Sequence, residues 1–142
     1  MSGDGPVGFT AGSFTAVSIR PPRVSFNISN YSSSIAAIRA AGPIAAHVLG
    51  AHQEALARQF SGAAADRYAD CFCWRTGETG SPILAGTPLV LHADVARLLP
   101  VGDHFIVVGM VRSVIAGGDG EFDPLIYHDG RFGRPHALPA ER

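Results

Sequence analysis

The sequence predicts a mainly β domain of antiparallel strands, arranged either as a barrel or as an α+β fold. Segments 88–99 and 104–115 are rich in β-branched residues and longer than average strands, as in antiparallel barrels whose strands bend round a corner. Only two short stretches have helical character, and there is no β-α-β alternation or G-x-G-x-x-G fingerprint. These features argue against a Rossmann fold.

The N-terminal part predicts two strands. Residues 6–10 and 14–19 alternate apolar residues with small and hydroxyl residues, which favours one strand with a kink at Ala11-Gly12. Pro21 and Pro22 are expected to end this strand because proline cannot continue a hydrogen-bonded ladder. Residues 23–29 alternate apolar with polar side chains and predict a second strand with one buried face.

The middle of the chain predicts two short helices around a buried strand. Residues 35–42 are rich in alanine and end at a glycine, as a short helix does, and residues 43–49 form an apolar strand. Residues 52–60 have amphipathic helical spacing. Residues 63–82 show no clear period and predict a loop with one turn of helix.

The C-terminal part predicts an antiparallel pair followed by short elements. A tight connection at 100–103 joins the two long strands, and the glycine-rich segment 116–120 predicts a turn. Residues 125–128 predict a last short strand, and residues 133–142 a frayed tail. All 142 residues fit one domain.

Composition narrows the class of protein. With 46% hydrophobic and 16% charged residues the chain is typical of globular proteins, and a net charge of −1 argues against nonspecific nucleic-acid binding. No apolar run approaches the roughly 18 residues of a membrane-spanning helix, and no secretory signal is visible, so we expect a cytoplasmic protein with no membrane partner. The two cysteines, Cys71 and Cys73, are too close for an easy disulfide and too few for a zinc site.

The stretch from Gly8 to Pro22 offers hydroxyls and uncovered backbone amides on one side. Such groups suit a planar polar ligand such as the edge of a flavin ring, although an ordinary half-buried strand has the same composition. The residues concerned are Thr10, Gly12, Ser13, Thr15 and Ser18.

Five segments, in order, resemble motifs of the flavin reductase family, whose members are NAD(P)H:flavin oxidoreductases with an FMN-binding split-barrel fold. They are Gly8–Pro22, Ser32–Ser34, Glu54–Gly62, Gly102–His104 and Pro124–Phe132, so that the resemblance spans about residues 8–132. It implies an antiparallel Greek-key split barrel with short inserted helices. Relatives usually carry a helix and a first strand before the position of Gly8, which this chain is expected to lack. Three alternatives follow: the start is truncated, a partner subunit in a homodimer fills the gap, or the fold has an open edge.

The resemblance also implies the binding residues. The flavin ring and ribityl chain would lie against Thr10 to Ser18, with Ser13, Phe14 and Thr15 nearest. The flavin phosphate would meet Ser32, Ser33 and Ser34, assisted by Arg58, although serines in this place also cap a helix. His47 is expected to make a weak flavin contact, or to be a satisfied core histidine.

The nicotinamide nucleotide is assigned to other residues. The resemblance implies that His104 binds it, with Arg131 and Phe132 helping to hold it through phosphate pairing and ring stacking. The alternative is that Asp103 and His104 only cap the turn between two strands.

The function that follows is reduction of FMN or FAD by NADH or NADPH, with the reduced flavin supplied to a separate oxygenase. The cofactors perform the hydride transfer, so the protein need only bind and position two rings. Two alternatives stay open: a flavin carrier without turnover, and a barrel that binds another cofactor such as heme or a deazaflavin.

Overall fold

Antiparallel strands dominate the computed structural model, which describes residues 6–40, 42–68, 74–117 and 122–140. The strands are β1 (Thr15–Ile19), β2 (Pro22–Ser29), β3 (Pro43–Val48), β4 (Trp74–Thr76), β5 (Pro82–Leu84), β6 (Leu89–Val101), β7 (His104–Ala116), β8 (Ile126–His128) and β9 (Arg131–Gly133). Five of them form one sheet in the order β1-β2-β7-β6-β3, and β4-β5 and β8-β9 are separate hairpins. The predicted mainly β, antiparallel class is confirmed.

The two long strands form the centre of the sheet, as predicted. β6 and β7 pair from Leu89 opposite Ala116 to Val101 opposite His104. The turn between them contains Gly102 with φ of 60°, a left-handed conformation that favours glycine. This hairpin therefore places His104 at the start of β7.

The large sheet is not a closed barrel. Its edge strands are β1 and β3, and within the described residues they do not pair with each other. Of the Greek-key split barrel expected from the resemblance, the antiparallel sheets are observed and the closure into a barrel is not.

The first predicted strand is half wrong, because residues 6–10 are not a strand. The backbone N–H of Thr10 donates to the Phe60 carbonyl oxygen at 3.3 Å, so this segment pairs with a helix end and not with a sheet. β1 ends at Ile19, before the two prolines, as predicted, but Pro22 itself begins β2 opposite Ile19, one residue earlier than expected. Proline is tolerated there because the first residue of a strand need not donate to the ladder.

Both predicted helices are present as α1 (Ile35–Ala40) and α2 (Glu54–Ser61). Short 3₁₀ turns at Ala51–Gln53 and Ala64–Asp66 flank α2. Within the described residues no helix has the length and apolar character needed to cross a membrane.

The segment predicted as a loop, 63–82, contains more structure than expected. β4 and β5 form a hairpin, and all three β5 residues are buried. Strands of three residues are too short to show a period, which is why the sequence did not reveal them. Likewise β9 was not predicted, although it pairs with the predicted β8. Cys71 and Cys73 lie outside the described residues.

The hydrophobic core lies between the sheet and α1. Phe26 and Ile28 of β2 and Val107 of β7 face Ile38 of α1, and Val107 is fully buried. Partly buried Phe14 packs on the same cluster. Phe14, which belongs to the segment predicted to bind the ligand, is therefore held against the core.

Candidate functional site

A cleft of about 940 Å³ lies between the N-terminal segment, α2, β3 and the β8-β9 hairpin. Small-molecule sites in proteins commonly have volumes of about 300–1,000 Å³. Along β3 the cleft is lined by the small side chains of Ala45 and Ala46, which leave room beside the backbone. The cleft can therefore admit a ligand of nucleotide size.

Half of the residues predicted from the sequence line this cleft. They are Thr10, Gly12, Phe14, Ser34, His47, Arg58 and Phe132. The others are absent from its lining: Ser13, Thr15, Ser18, Ser32, Ser33, His104 and Arg131. Residues from the first, second, third and fifth motifs thus meet at one site, and His104 of the fourth motif does not.

Residues 7–14 form the N-terminal wall of the cleft, and all of them except Ser13 line it. Hydroxyl groups hold this wall in place. The Thr10 hydroxyl donates to the Ala57 carbonyl oxygen of α2 at 2.9 Å, and the Ser13 hydroxyl oxygen accepts the Asn27 N–H of β2 at 2.8 Å. Between them, a Cβ added to Gly12 would have no heavy atom within 4 Å. Gly12 therefore faces open space in the cleft, whereas Ser13 is engaged in joining this wall to the sheet.

Ser18 and Thr15 lie on β1 rather than at the cleft. Ser18 is opposite Arg23 of β2, next to an irregularity in the register after Ala16. The Thr15 side chain is exposed, and its hydroxyl makes one long contact of 3.5 Å with the Ala16 carbonyl oxygen. Both residues therefore lie on the edge strand of the large sheet, with Thr15 exposed and Ser18 half-buried.

The three serines before α1 have different environments. The Ser32 hydroxyl oxygen accepts the Ser34 N–H at 3.1 Å, and Ser33 is exposed. The Ser34 side chain is 1% exposed, and its oxygen accepts a hydrogen bond from Arg67 at 3.3 Å. Ser32 therefore stabilises the turn, as the capping alternative expected, and Ser34 lies at the cleft.

His47 uses both of its ring nitrogens within the protein. Nε2 accepts the Leu84 N–H of β5 at 3.1 Å, and Nδ1 donates to the Ala45 carbonyl oxygen at 3.2 Å. Burial lowers the pKa of His47, the hydrogen bond to Ala45 partly opposes this, and the neighbouring His92 lowers the pKa further. The neutral His47 ring thus holds the β4-β5 hairpin against β3. This agrees with the alternative prediction, in which His47 is a histidine with both nitrogens hydrogen-bonded, although it also lines the cleft.

Arg58 and Phe132 meet across the cleft. The Arg58 guanidinium lies over the Phe132 ring at 4.9 Å from its centre and also contacts Glu54 Oε1 at 3.3 Å. The Tyr127 ring packs beside Phe132 with centroids 5.0 Å apart. Together they form an aromatic surface beside an exposed cation, which suits a planar anionic ligand.

His104 is exposed at the β6-β7 turn. Its Nδ1 donates to Asp103 Oδ1 at 2.7 Å, and this bond, together with attraction to the ring, holds the pKa of Asp103 below its usual range. Among the described residues, none forms a hydrogen bond with His104 Nε2. The ring is oriented by Asp103 and keeps one nitrogen available to a ligand.

Two residues of the site were missed in the sequence. Arg67 donates to acceptors on three segments that line the cleft, and Tyr68 lies in the lining itself. Burial raises the pKa of Tyr68 to about 12, so its phenol stays protonated, and its ring packs edge-on against Phe60 and Trp74. Trp74 therefore packs against Tyr68 and helps to hold this segment in place. Neither missed residue had a local signal, because their partners are distant in the chain.

Known proteins share both the sequence and the fold. The flavin reductase like domain family matches residues 1–136. An NADH:FMN oxidoreductase of Rhodococcus qingshengii is 50% identical over 139 residues, covering 96% of this chain and 72% of the relative. The reductase subunit HsaB of a flavin-dependent monooxygenase of Mycobacterium tuberculosis is 36% identical over 129 residues, covering 91% of this chain and 68% of the relative.

A solved structure agrees with these matches. The NADH:FAD oxidoreductase SgcE6 of Streptomyces globisporus, in complex with NAD and FAD fragments, superposes with a TM-score of 0.83 at 32% identity, covering 95% of this chain and 84% of that one. The family and the reaction class predicted from the five motifs are confirmed by these findings. The chain belongs to the flavin reductase like domain family of flavin oxidoreductases.

Proposed function

We propose that this protein reduces free flavin with a nicotinamide nucleotide, and that the cleft is its flavin site. The balanced reaction is NADH + H⁺ + FMN → NAD⁺ + FMNH₂, in which a hydride leaves the nicotinamide and a proton comes from solvent. The observation that carries the proposal is the meeting of Gly12, Arg58 and Phe132, from three separate family motifs, in one cleft.

The residues present fit a flavin. Its flat ring needs an uncrowded wall, which Gly12 and the alanines of β3 provide, and its phosphate needs donors, of which Arg58 and Ser34 line the cleft. The Tyr68 phenol, protonated at neutral pH, adds a donor in the cleft lining. Of Ser13, Phe14 and Thr15, which the family motif implies as the nearest neighbours of the ring, only Phe14 lines the cleft, and we propose it as the neighbour of the ring.

The protein's contribution to the chemistry is to hold the two rings together. We propose that Phe132 and Arg131 hold the nucleotide, and that His104 contacts it through Nε2. Because His104 lies outside the cleft lining, the nucleotide would extend beyond the cleft toward the β6-β7 turn, or reach the His104 of a second copy. Support for the second arrangement comes from the open β1 edge, where Val17 and Ile19 are 57% and 85% exposed.

We propose NADH and FMN as the preferred pair, because the relative that is 50% identical is named for that pair. FAD and NADPH are the competitors to test. We also propose that the protein forms a homodimer whose subunits complete a split barrel, and that it supplies reduced flavin to an oxygenase, as the name of the HsaB subunit indicates for that relative.

The test is NADH oxidation in air with each flavin, followed by absorbance, with Gly12→Val and Gly42→Val as a matched pair. A Cβ at either glycine meets no heavy atom within 4 Å, so neither change is expected to perturb the fold, and only Gly12 lines the cleft. Gly12→Val is expected to raise the flavin Kd by at least about tenfold, since a branched side chain fills the proposed ring position. Flavin binding without NADH oxidation would favour the carrier, and equal Kd values for both variants would contradict the placement of the flavin.

A further inference from the structure

Arg67 joins three segments that border the cleft. Its Nη1 donates to the Gly8 carbonyl oxygen at 2.9 Å and to Ser34 Oγ at 3.3 Å, and its Nε donates to the Gly62 carbonyl oxygen at 3.1 Å. Gly8 belongs to the N-terminal wall, Ser34 directly precedes α1 and Gly62 follows α2, and all three line the cleft. One planar guanidinium therefore links segments that are not consecutive in the chain.

The position of Arg67 is itself fixed. The Gln59 side-chain amide donates to the carbonyl oxygens of Asp66 and Arg67, both at 3.0 Å. The Arg67 N–H closes the preceding 3₁₀ turn by donating to the Ala64 carbonyl oxygen at 3.3 Å. Its guanidinium thus reaches its three acceptors from a braced backbone, so little further backbone freedom is lost when the three bonds form.

The N-terminal wall depends on such contacts because it has no sheet ladder before Thr15. Besides the Arg67 bond at Gly8, it is fastened to α2 by the two hydrogen bonds of Thr10 and to β2 by Ser13. The Gly8 backbone also lies close to the Tyr68 side chain, since a Cβ added to Gly8 would be 2.7 Å from the Tyr68 hydroxyl oxygen. Without Arg67, the wall would lose the hydrogen bond that holds its backbone at Gly8.

We propose that Arg67 is a positioning residue that holds the N-terminal wall of the cleft in its flavin-binding conformation. The inference rests on the proposed flavin site. A wall ordered before the ligand arrives lowers the entropy cost of binding, so losing this order weakens affinity more than turnover at saturating flavin. Arg67 thereby sets the flavin Kd without contacting the reacting atoms.

The experiment compares Arg67→Ala, Arg67→Lys and a control, Arg97→Ala, which removes an exposed arginine of β6. Flavin Kd is measured by quenching of flavin fluorescence, kcat by NADH oxidation at saturating flavin, and local order by amide hydrogen exchange. Relative to the control, Arg67→Ala is expected to raise the Kd about tenfold, the scale for losing hydrogen bonds from a charged group. Its kcat should stay within about threefold, and exchange should accelerate at residues 8–12.

Arg67→Lys separates charge from geometry. Lysine keeps the positive charge but has no planar fork to reach three acceptors, so an intermediate Kd is expected. If Arg67→Ala fails to fold, Arg67→Lys decides, and a wild-type Kd in it overturns the proposal. A Kd equal to that of Arg97→Ala, or faster exchange throughout the sheet, also overturns it. If the unaltered protein neither binds flavin nor oxidises NADH, the proposed function fails first and the role of Arg67 falls with it.

Discussion

The Arg58 guanidinium lies 4.9 Å from the centre of the Phe132 ring, joining α2 to β9 in the lining of the cleft. A second pair has the same geometry elsewhere, with Arg39 at 4.8 Å from the centre of the Phe105 ring. Arg39 is absent from the cleft lining. Comparing the two pairs therefore shows whether replacing an arginine that lies over a ring affects ligand binding only when that arginine lines the cleft.

Replacing Arg58 is expected to weaken ligand binding at the cleft. Arg58→Met removes the cation but keeps most of the side-chain length. We expect a rise of about tenfold in the Kd of flavin or the KM of NADH, because the contact of a guanidinium with the ring of a bound ligand is worth about 0.5–2 kcal/mol. Steady-state kinetics and flavin titration measure both constants. Arg39→Met is the control; if it changes the constants as much as Arg58→Met does, the effect is not local to the cleft.

His104→Ala is expected to act on the nucleotide and not on the flavin. The ring is oriented by Asp103 at 2.7 Å and exposes Nε2, so its loss should raise the KM for NADH several-fold while the flavin Kd changes little. Asp94→Asn, which breaks the exposed ion pair with Arg112, is the control for a surface charge change. Unchanged kinetics in His104→Ala would refute the role of this histidine.

His47 is expected to make stability depend on pH. Its pKa in the folded protein lies below the value of about 6.5 expected in the unfolded chain, so in this range the unfolded chain binds more protons. The contribution is complete above about pH 6.5 and is lost as the pH falls from there through the lower folded pKa, because protonation of Nε2 removes the acceptor for the Leu84 N–H.

The pH effect can be isolated with His47→Gln, whose side-chain oxygen can accept the same N–H. Denaturant unfolding at a series of pH values should show a shallower loss of stability in His47→Gln than in the unaltered protein. His136→Gln, at an exposed position after β9, should retain the original slope. Parallel curves for all three proteins would contradict the prediction.

Val107 and Val114 lie on the same strand and test the location of the core. Val107 is 0% exposed and Val114 is 54% exposed. Val107→Ala is expected to lower the free energy of unfolding by about 2 kcal/mol through lost burial and a residual cavity, and Val114→Ala by less than about 0.5 kcal/mol. Equal losses in urea unfolding would mean that β7 does not face the core as described.

The sequence alone determined the long strands, the two helices and the family. Regular alternation in residues 23–29 and long β-branched runs in residues 88–99 and 104–115 report burial on one face, and burial on one face is what stabilises a strand. The motifs located Arg58 and Phe132, because side chains that recognise planar and anionic groups belong to a small set of residue types. Both properties are local, so they can be read without knowing which elements pack together.

Only the tertiary structure decided which predicted residues meet. Residues 6–10 have a strand-like composition, but Thr10 bonds to the end of α2, and a distant partner leaves no trace in local composition. The same reason hid Arg67, whose acceptors Gly8 and Ser34 are far away in the chain, and kept His104 out of the cleft despite its motif. Three-residue strands such as β5 and β9 also depend on their partners, since so few residues gain stability only when another segment completes their hydrogen bonds and burial.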